Sequence, residues 1–70
     1  MEKKEKIGIV QNCNIDTGQI MTEKNDYIFF NTDLYDNVKN GDVVSFYGDE
    51  NAKVKRAYFV KKLKYFGGNN

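Results

Sequence analysis

Short segments rich in β-branched and aromatic residues alternate with glycines and polar residues along the chain. This pattern is typical of β-strands, which favour side chains that pack on a pleated surface. No stretch of about 11 or more residues carries the i, i+3, i+4, i+7 apolar spacing of an amphipathic helix. The sequence therefore predicts an all-β chain with five strands, at residues 6–14, 19–23, 26–31, 42–47 and 56–65.

The segments between the predicted strands contain residues that favour turns. Residues 14–18 combine Asn, Asp and Gly, which bond their own backbone or accept a positive φ. Residues 23–26 would close a hairpin, and the dipeptide Asn-Gly at 40–41 would open the fourth strand. A single helical turn is predicted over residues 32–35, with Thr32 as its cap.

The order of the predicted strands indicates the fold class. Three closely spaced strands, a short turn and two further strands are typical of the OB-fold, a small five-stranded antiparallel barrel. The pattern is also compatible with an SH3-like barrel. A chain of 70 residues makes one domain. We expect this domain at residues 6–65, between a flexible charged N-terminus at 1–5 and a disordered tail at 66–70.

Composition argues against several other classes of protein. The single cysteine, Cys13, cannot form an intrachain disulfide, and without any histidine it lacks partners for a zinc site, so we expect no metal or cofactor. The longest apolar run, residues 27–30, is far shorter than the roughly 18 residues of a membrane span. The charged N-terminus is not followed by an apolar segment and does not resemble a signal peptide, which favours a cytoplasmic protein. The richness in Lys, Asn, Tyr and Ile hints at an AT-rich bacterial or phage genome.

The net charge of +1 conceals an uneven distribution of charge along the chain. Residues 16–50 contain eight acidic residues and two lysines, whereas residues 51–70 contain six basic residues and no acidic one. This division predicts a basic stripe on the last strand, beside acidic surface, which could orient an anionic partner. A solvated edge strand protected by lysines would give the same distribution.

Several short stretches together resemble the cold-shock domain family. They are Gly8-Ile9-Val10, Asn14 with Gly18 four residues later, residues 26–34, residues 40–46, and Ala57 with residues 60–63. The resemblance covers residues 6–63 and depends on the order and spacing of the stretches. It implies an OB-fold that binds single-stranded RNA or DNA through exposed aromatic rings on the first three strands, with basic residues around them.

The chain departs from the family pattern on that aromatic surface. Asn12 stands where the family usually has a Trp, and Cys13 stands where it has a Phe. Residues 17–21 form a motif that is one residue shorter than in the family and contains no aromatic residue. In the third strand the family's exposed Phe-x-His-Phe corresponds to Ile28, Phe30 and Asn31, of which only Phe30 keeps a flat ring. Base stacking on a ring contributes about 1–3 kcal/mol, so these losses would lower affinity considerably.

The candidate binding residues follow from the resemblance and from strand alternation. Ile28 and Phe30 should face outward if Tyr27 and Phe29 face inward. Tyr58 and Phe59 are adjacent, so one of them should face away from the core, either as a nucleic-acid contact or as a ring lying over the barrel. The candidate nucleic-acid-binding residues are Gln11, Asn12, Ile20, Ile28 and Phe30 for bases, Tyr58 as an exposed ring, and Lys53, Lys55, Arg56, Lys61 and Lys62 for phosphates.

A protein-interaction module is the alternative hypothesis. In that case Ile20, Ile28 and Phe30 would form a small apolar patch for a protein partner or for a homodimer. Tyr65 and Phe66 could fold back on the barrel or mediate self-association.

An enzyme is the least favoured class of protein. Cys13 has no histidine to activate it and is expected to be a small buried apolar residue. The acidic residues of the loops show no spacing that would bring two of them together, and we expect them to be solvated. They are Asp16, Glu23, Asp26, Asp33 and Asp36.

Overall fold

The computed structural model describes residues 4–50 and 53–63. Its five strands are β1 (Glu5–Gln11), β2 (Thr17–Met21), β3 (Asp26–Phe30), β4 (Val43–Asp49) and β5 (Arg56–Lys62), and one 3₁₀ turn spans Asn31–Asp33. The strands agree with the predicted ones to within a few residues at each end. In the described ranges no helix is long and apolar enough to cross a membrane. The predicted tail at 66–70 lies outside the described residues.

The five strands close into a barrel in the order β1-β2-β3-β5-β4, with β4 paired back to β1. Four of the five pairings are antiparallel. The fifth, between β3 and β5, is parallel and consists of the bridge Ile28↔Arg56, supported by a hydrogen bond from the Ile28 N–H to the Lys55 carbonyl. A separate bridge joins Leu34 to Val60. The predicted five-stranded OB-fold is confirmed, although one of its pairings is parallel.

Alternation along each strand produces the core. Inward-facing side chains from all five strands are buried, and Cys13, Leu34 and Val38 pack partly buried against them. Cys13 is thus half-buried, in partial agreement with its predicted burial. The buried core residues are Val10, Ile20, Tyr27, Phe29, Val44, Phe46, Ala57 and Val60.

Gly18 has a packing role in place of the turn role that the sequence suggested. It lies inside β2, directly opposite Phe29 of β3, and both residues are buried. A Cβ atom at this position would overlap the end of the Phe29 ring. The missing side chain therefore makes room for the aromatic ring at the centre of the barrel.

A β-bulge interrupts β5 at Phe59. The residue has φ 55°, in the left-handed region that is uncommon for a non-glycine residue, and the β4–β5 register shifts between Ser45 and Tyr47. The extra residue places both Tyr58 and Phe59 outside while Ala57 and Val60 remain inside. Both rings therefore face away from the core, whereas strand alternation required this of only one of them.

A hydrogen-bonded group ties three strands together at one end of the barrel. The buried Tyr27 of β3 donates its hydroxyl to Glu50 Oε2 at 2.6 Å, and Lys6 of β1 lies 3.0 Å from the same oxygen. Burial, followed by the bond to Glu50, raises the pKa of Tyr27 to about 12. The Tyr27 hydroxyl and the Lys6 ammonium lower the pKa of Glu50. Glu50 follows β4, so the group connects β3, β4 and β1.

Candidate nucleic-acid interface

The outer face of β3 carries two apolar side chains. Tyr27 and Phe29 point into the core, which leaves Ile28 half-buried and Phe30 with 41% of its surface exposed. The predicted alternation of this strand is therefore confirmed. An apolar ring at the surface can stack on any base, because every base has a π-face.

Arg56 lies between two aromatic rings on this face. Its guanidinium carbon is 4.4 Å from the ring centre of Phe30 and 4.7 Å from that of Tyr58, which are cation–π distances. The guanidinium also donates to Asp33 Oδ2 at 2.8 Å. The Arg56 Nε is buried and has no hydrogen-bond acceptor in the described part of the chain. These contacts hold one basic and two aromatic side chains together on adjacent strands.

Asp33 positions this group, and the sequence did not reveal its role. Its side chain is only 9% exposed, and the same Oδ2 atom also accepts a bond from the Phe30 backbone N–H at 2.8 Å. Asp33 was expected to be a solvated loop carboxylate. A carboxylate three residues after the residue that begins a helical turn is typical of a capping box, and that signal could have suggested the contact with Phe30.

Polar side chains extend the face from β3 towards β1. The register places Gln11 opposite Gln19, Gln19 opposite Ile28, and Ile28 opposite Arg56, so that these four side chains form a row across four strands. Asn12, at the end of β1, donates to Gln19 Oε1 at 2.6 Å. Gln19 belongs to this row although it was not among the predicted binding residues.

An open cleft of about 600 Å³ borders the row. The β2–β3 hairpin forms one wall, residues 53–55 form the other, and Gln19 and Ile28 lie between them. Lys53 and Lys55 thus line the same cleft as Ile28, and their contact with phosphates stays a prediction. The hairpin wall carries Lys24 beside the acidic Glu23 and Asp26, so it bears charges of both signs, whereas the charged residues of the other wall, Lys53 and Lys55, are both basic.

Three of the predicted residues do not belong to this face. Ile20 is fully buried in the core, since its register partner on β3 is the inward-facing Tyr27. Ile20 therefore cannot contact bases, and it is also lost from the apolar patch of the protein-interaction hypothesis. Lys61 and Lys62 lie at the far end of β5, about five residues or roughly 16 Å from Arg56.

The local contacts of these two lysines differ. Lys62 is held by acidic residues, because its ammonium lies 3.7 Å from Asp42 and its backbone N–H donates to Asp36. Lys61 lies above the ring of Tyr35, with Nζ 5.3 Å from the ring centre. Both contacts were absent from the sequence-based prediction of a single basic stripe.

The closed barrel, the 3₁₀ turn after β3 and the exposed row on β1–β3 define an OB-fold of the cold-shock type. No protein-family model and no curated protein matches the chain. A solved cold-shock-domain structure, described as Drosophila Unr CSD456, has the same fold, with a TM-score of 0.76 over 96% of this chain and 17% sequence identity. The chain spans 30% of the length of that structure's chain. The fold is therefore that of a cold-shock domain, as the resemblance implied.

Proposed function

We propose that this protein binds single-stranded RNA or DNA with low sequence specificity, through the row Gln11–Gln19–Ile28–Arg56 and the adjoining ring of Phe30. The observation that carries the proposal is the group Phe30–Arg56–Tyr58. It combines partly exposed aromatic surface with a fixed positive charge, which is the combination that single-stranded nucleic acids require. The cold-shock-domain fold of the neighbouring structure supports the same function.

Bases and phosphates would meet different parts of this face. The exposed ring of Phe30 and the half-buried Ile28 offer apolar surface for one or two bases, and the side-chain amides of Gln11 and Gln19 can accept or donate hydrogen bonds to base edges. Arg56, Lys53 and Lys55 would neutralise phosphates. The contact between Arg56 and Asp33 reduces the net charge, so these three cations act as about two.

The affinity should be modest because few rings remain. Each stacked base contributes about 1–3 kcal/mol, and a micromolar complex corresponds to about 8 kcal/mol. We therefore expect a dissociation constant in the micromolar range or weaker at low salt. About two neutralised phosphates should give a slope of log K against log[salt] of about −1.4, at about −0.7 per phosphate.

Fluorescence anisotropy with labelled oligo(dT) and oligo(U) at two salt concentrations tests the proposal. Phe30→Ala should weaken binding by about 5- to 150-fold, the range that one stacked base provides. Ile7→Ala is the matched control, because Ile7 is an exposed apolar residue of β1 whose register partner is Ser45 of β4. Absence of binding at low salt, or equal losses for the two variants, would overturn the proposal.

A further inference from the structure

A second group of aromatic rings lies on the β4–β5 wall, and the proposed face does not use it. Phe59 makes edge-to-face contacts with Tyr35 at 5.8 Å and with Tyr47 at 6.0 Å between ring centres. We call Tyr35, Tyr47 and Phe59 the outer aromatic cluster. Tyr35 remains 60% exposed and Phe59 44% exposed. Monomeric proteins seldom leave adjacent rings this accessible unless the surface binds something.

The backbone at Phe59 adds an independent sign of function. Phenylalanine is strained in the left-handed region of the backbone, and asparagine or glycine would occupy the bulge with less strain. The chain instead keeps an apolar ring at this strained and exposed position. Backbone strain that persists at the surface is most often associated with binding sites.

The cluster continues directly from the proposed face. Tyr58, one of the two rings that enclose Arg56, is the register partner of Tyr47 on the neighbouring strand. Tyr47 contacts Phe59, and Phe59 contacts Tyr35. Together with Phe30, these side chains form one band of rings that passes from β3 across β5 to β4.

The basic residues beside this band indicate which kind of ligand it would bind. Arg56 lies at one end, between Phe30 and Tyr58, and Lys61 lies over Tyr35 at the other end. Glu5 lies opposite Tyr47 in the β1–β4 register, so we place the second phosphate contact at Lys61 and not along β1. A band of rings with a cation at each end fits a single strand, whose bases can stack on the rings while its phosphates meet the cations.

We propose that the outer aromatic cluster with Lys61 is a second base-stacking site, which extends the bound single strand from the β3 face onto the β4–β5 wall. The inference rests on the proposed function for the class of ligand. It adds the path that the bound nucleic acid takes across the barrel and a minimum length for the oligonucleotide. A short oligonucleotide would occupy only the Phe30 face, whereas one near the upper part of the range of about 4–16 nucleotides for an OB-fold would reach the cluster.

The variant Phe59→Asn separates binding from folding. Asparagine tolerates the left-handed backbone, so the bulge should persist while the ring is removed. The gain in backbone conformation offsets the lost ring contacts, and a thermal melt should show a nearly unchanged midpoint. Anisotropy titrations would then compare labelled oligo(dT) of about 4 and about 12 nucleotides for the wild type, Phe59→Asn and Phe30→Ala.

The expected result is that Phe59→Asn lowers affinity for the longer oligonucleotide by about fivefold or more and leaves affinity for the shorter one unchanged. Lys61→Gln should reduce the salt slope for the longer oligonucleotide by about 0.7 and leave that for the shorter one unchanged. Equal effects on both lengths, or no effect on either, would overturn the inference. The inference would also be overturned, in favour of a protein interface, if sedimentation showed a wild-type dimer that Phe59→Asn abolishes while affinity for the longer oligonucleotide stays unchanged.

The two proposals can fail separately. If Phe30→Ala weakens binding of the short oligonucleotide and Phe59→Asn has no effect on the long one, the proposed function stands and the second site does not. If only the long oligonucleotide binds, and binding depends on Phe59 but not on Phe30, the second site stands and the β3 face is wrong.

Discussion

Replacing Tyr27 with phenylalanine should reveal how much of the barrel's stability depends on one hydroxyl group. Tyr27 is buried and donates to Glu50, which in turn contacts Lys6. The substitution removes a single oxygen atom and leaves the ring in contact with Phe46, 4.9 Å away between ring centres. Its effect therefore measures the hydroxyl contact and not a loss of packing.

The charged acceptor of the Tyr27 hydroxyl sets the size of this effect. A hydrogen bond to a charged group contributes about 1.5–3 kcal/mol. The rise in the pKa of Tyr27 to about 12 is due first to burial, which disfavours the tyrosinate, and so it does not by itself measure this bond. One end of the contact faces solvent, which weakens it, so we expect Tyr27→Phe to lower the free energy of unfolding by about 1–2 kcal/mol at neutral pH. The total for a domain of this size is only about 3–5 kcal/mol.

The pH dependence gives the sharper test. Because the folded-state pKa of Tyr27 lies above the unfolded value, its contribution is fully present below pH 10 and is lost as the pH rises through about 12. The pKa of Glu50 is lowered, so its part is present above about pH 4.3 and is lost as the pH falls. The difference between the wild type and Tyr27→Phe should therefore be largest near neutrality and narrow at both extremes.

Urea unfolding of both proteins, followed by circular dichroism from pH 3 to pH 12, would measure this difference. Tyr35→Phe is the control, because its ring is 60% exposed, and it should unfold like the wild type. The reasoning would be refuted if the difference in free energy of unfolding between wild type and Tyr27→Phe stayed constant from pH 8 to pH 12. It would also be refuted if the two proteins were equally stable at neutral pH.

Two further predictions concern packing and recognition. Gly18→Ala should lower the free energy of unfolding by about 1–3 kcal/mol, because the added methyl group overlaps Phe29, and Phe29→Leu in the same chain should recover part of the loss in a thermal melt. Arg56→Lys should weaken oligonucleotide binding by about tenfold with an unchanged salt slope, because lysine keeps the charge but lacks the planar group that lies between Phe30 and Tyr58. Unchanged affinity in that variant would show that the stacked geometry is not used.

Alternation made the core of this barrel largely predictable from sequence. In β3 the run of four apolar residues could be divided correctly into inward Tyr27 and Phe29 and outward Ile28 and Phe30, because side chains of a strand change face at every residue. The same rule was not applied to β2. Ile20 was expected to contact bases, although its pairing with the inward-facing Tyr27 places it in the core.

Features that depend on the closing of the barrel could not be predicted from sequence. The bulge at Phe59 adds one residue to β5, and nothing in the local sequence marks this position, because phenylalanine is not typical of a left-handed backbone. The contact between Asp33 and Arg56 joins residues 23 apart in the chain. It exists because β5 returns alongside β3, so the spacing of acidic residues within loops gave no sign of it.

The candidate binding face lies over the shortest strand pairing of the barrel, which is the parallel bridge between β3 and β5. The named strands meet there at the single residue pair Ile28↔Arg56. A nucleic-acid strand bound across Gln19, Ile28 and Arg56, as proposed, would contact both strands of this pairing and stabilise it. At a ligand concentration about 100 times the dissociation constant, such binding would add about 2.7 kcal/mol. That gain approaches the domain's whole free energy of unfolding, about 3–5 kcal/mol. The melting temperature should therefore rise measurably when nucleic acid binds to this face.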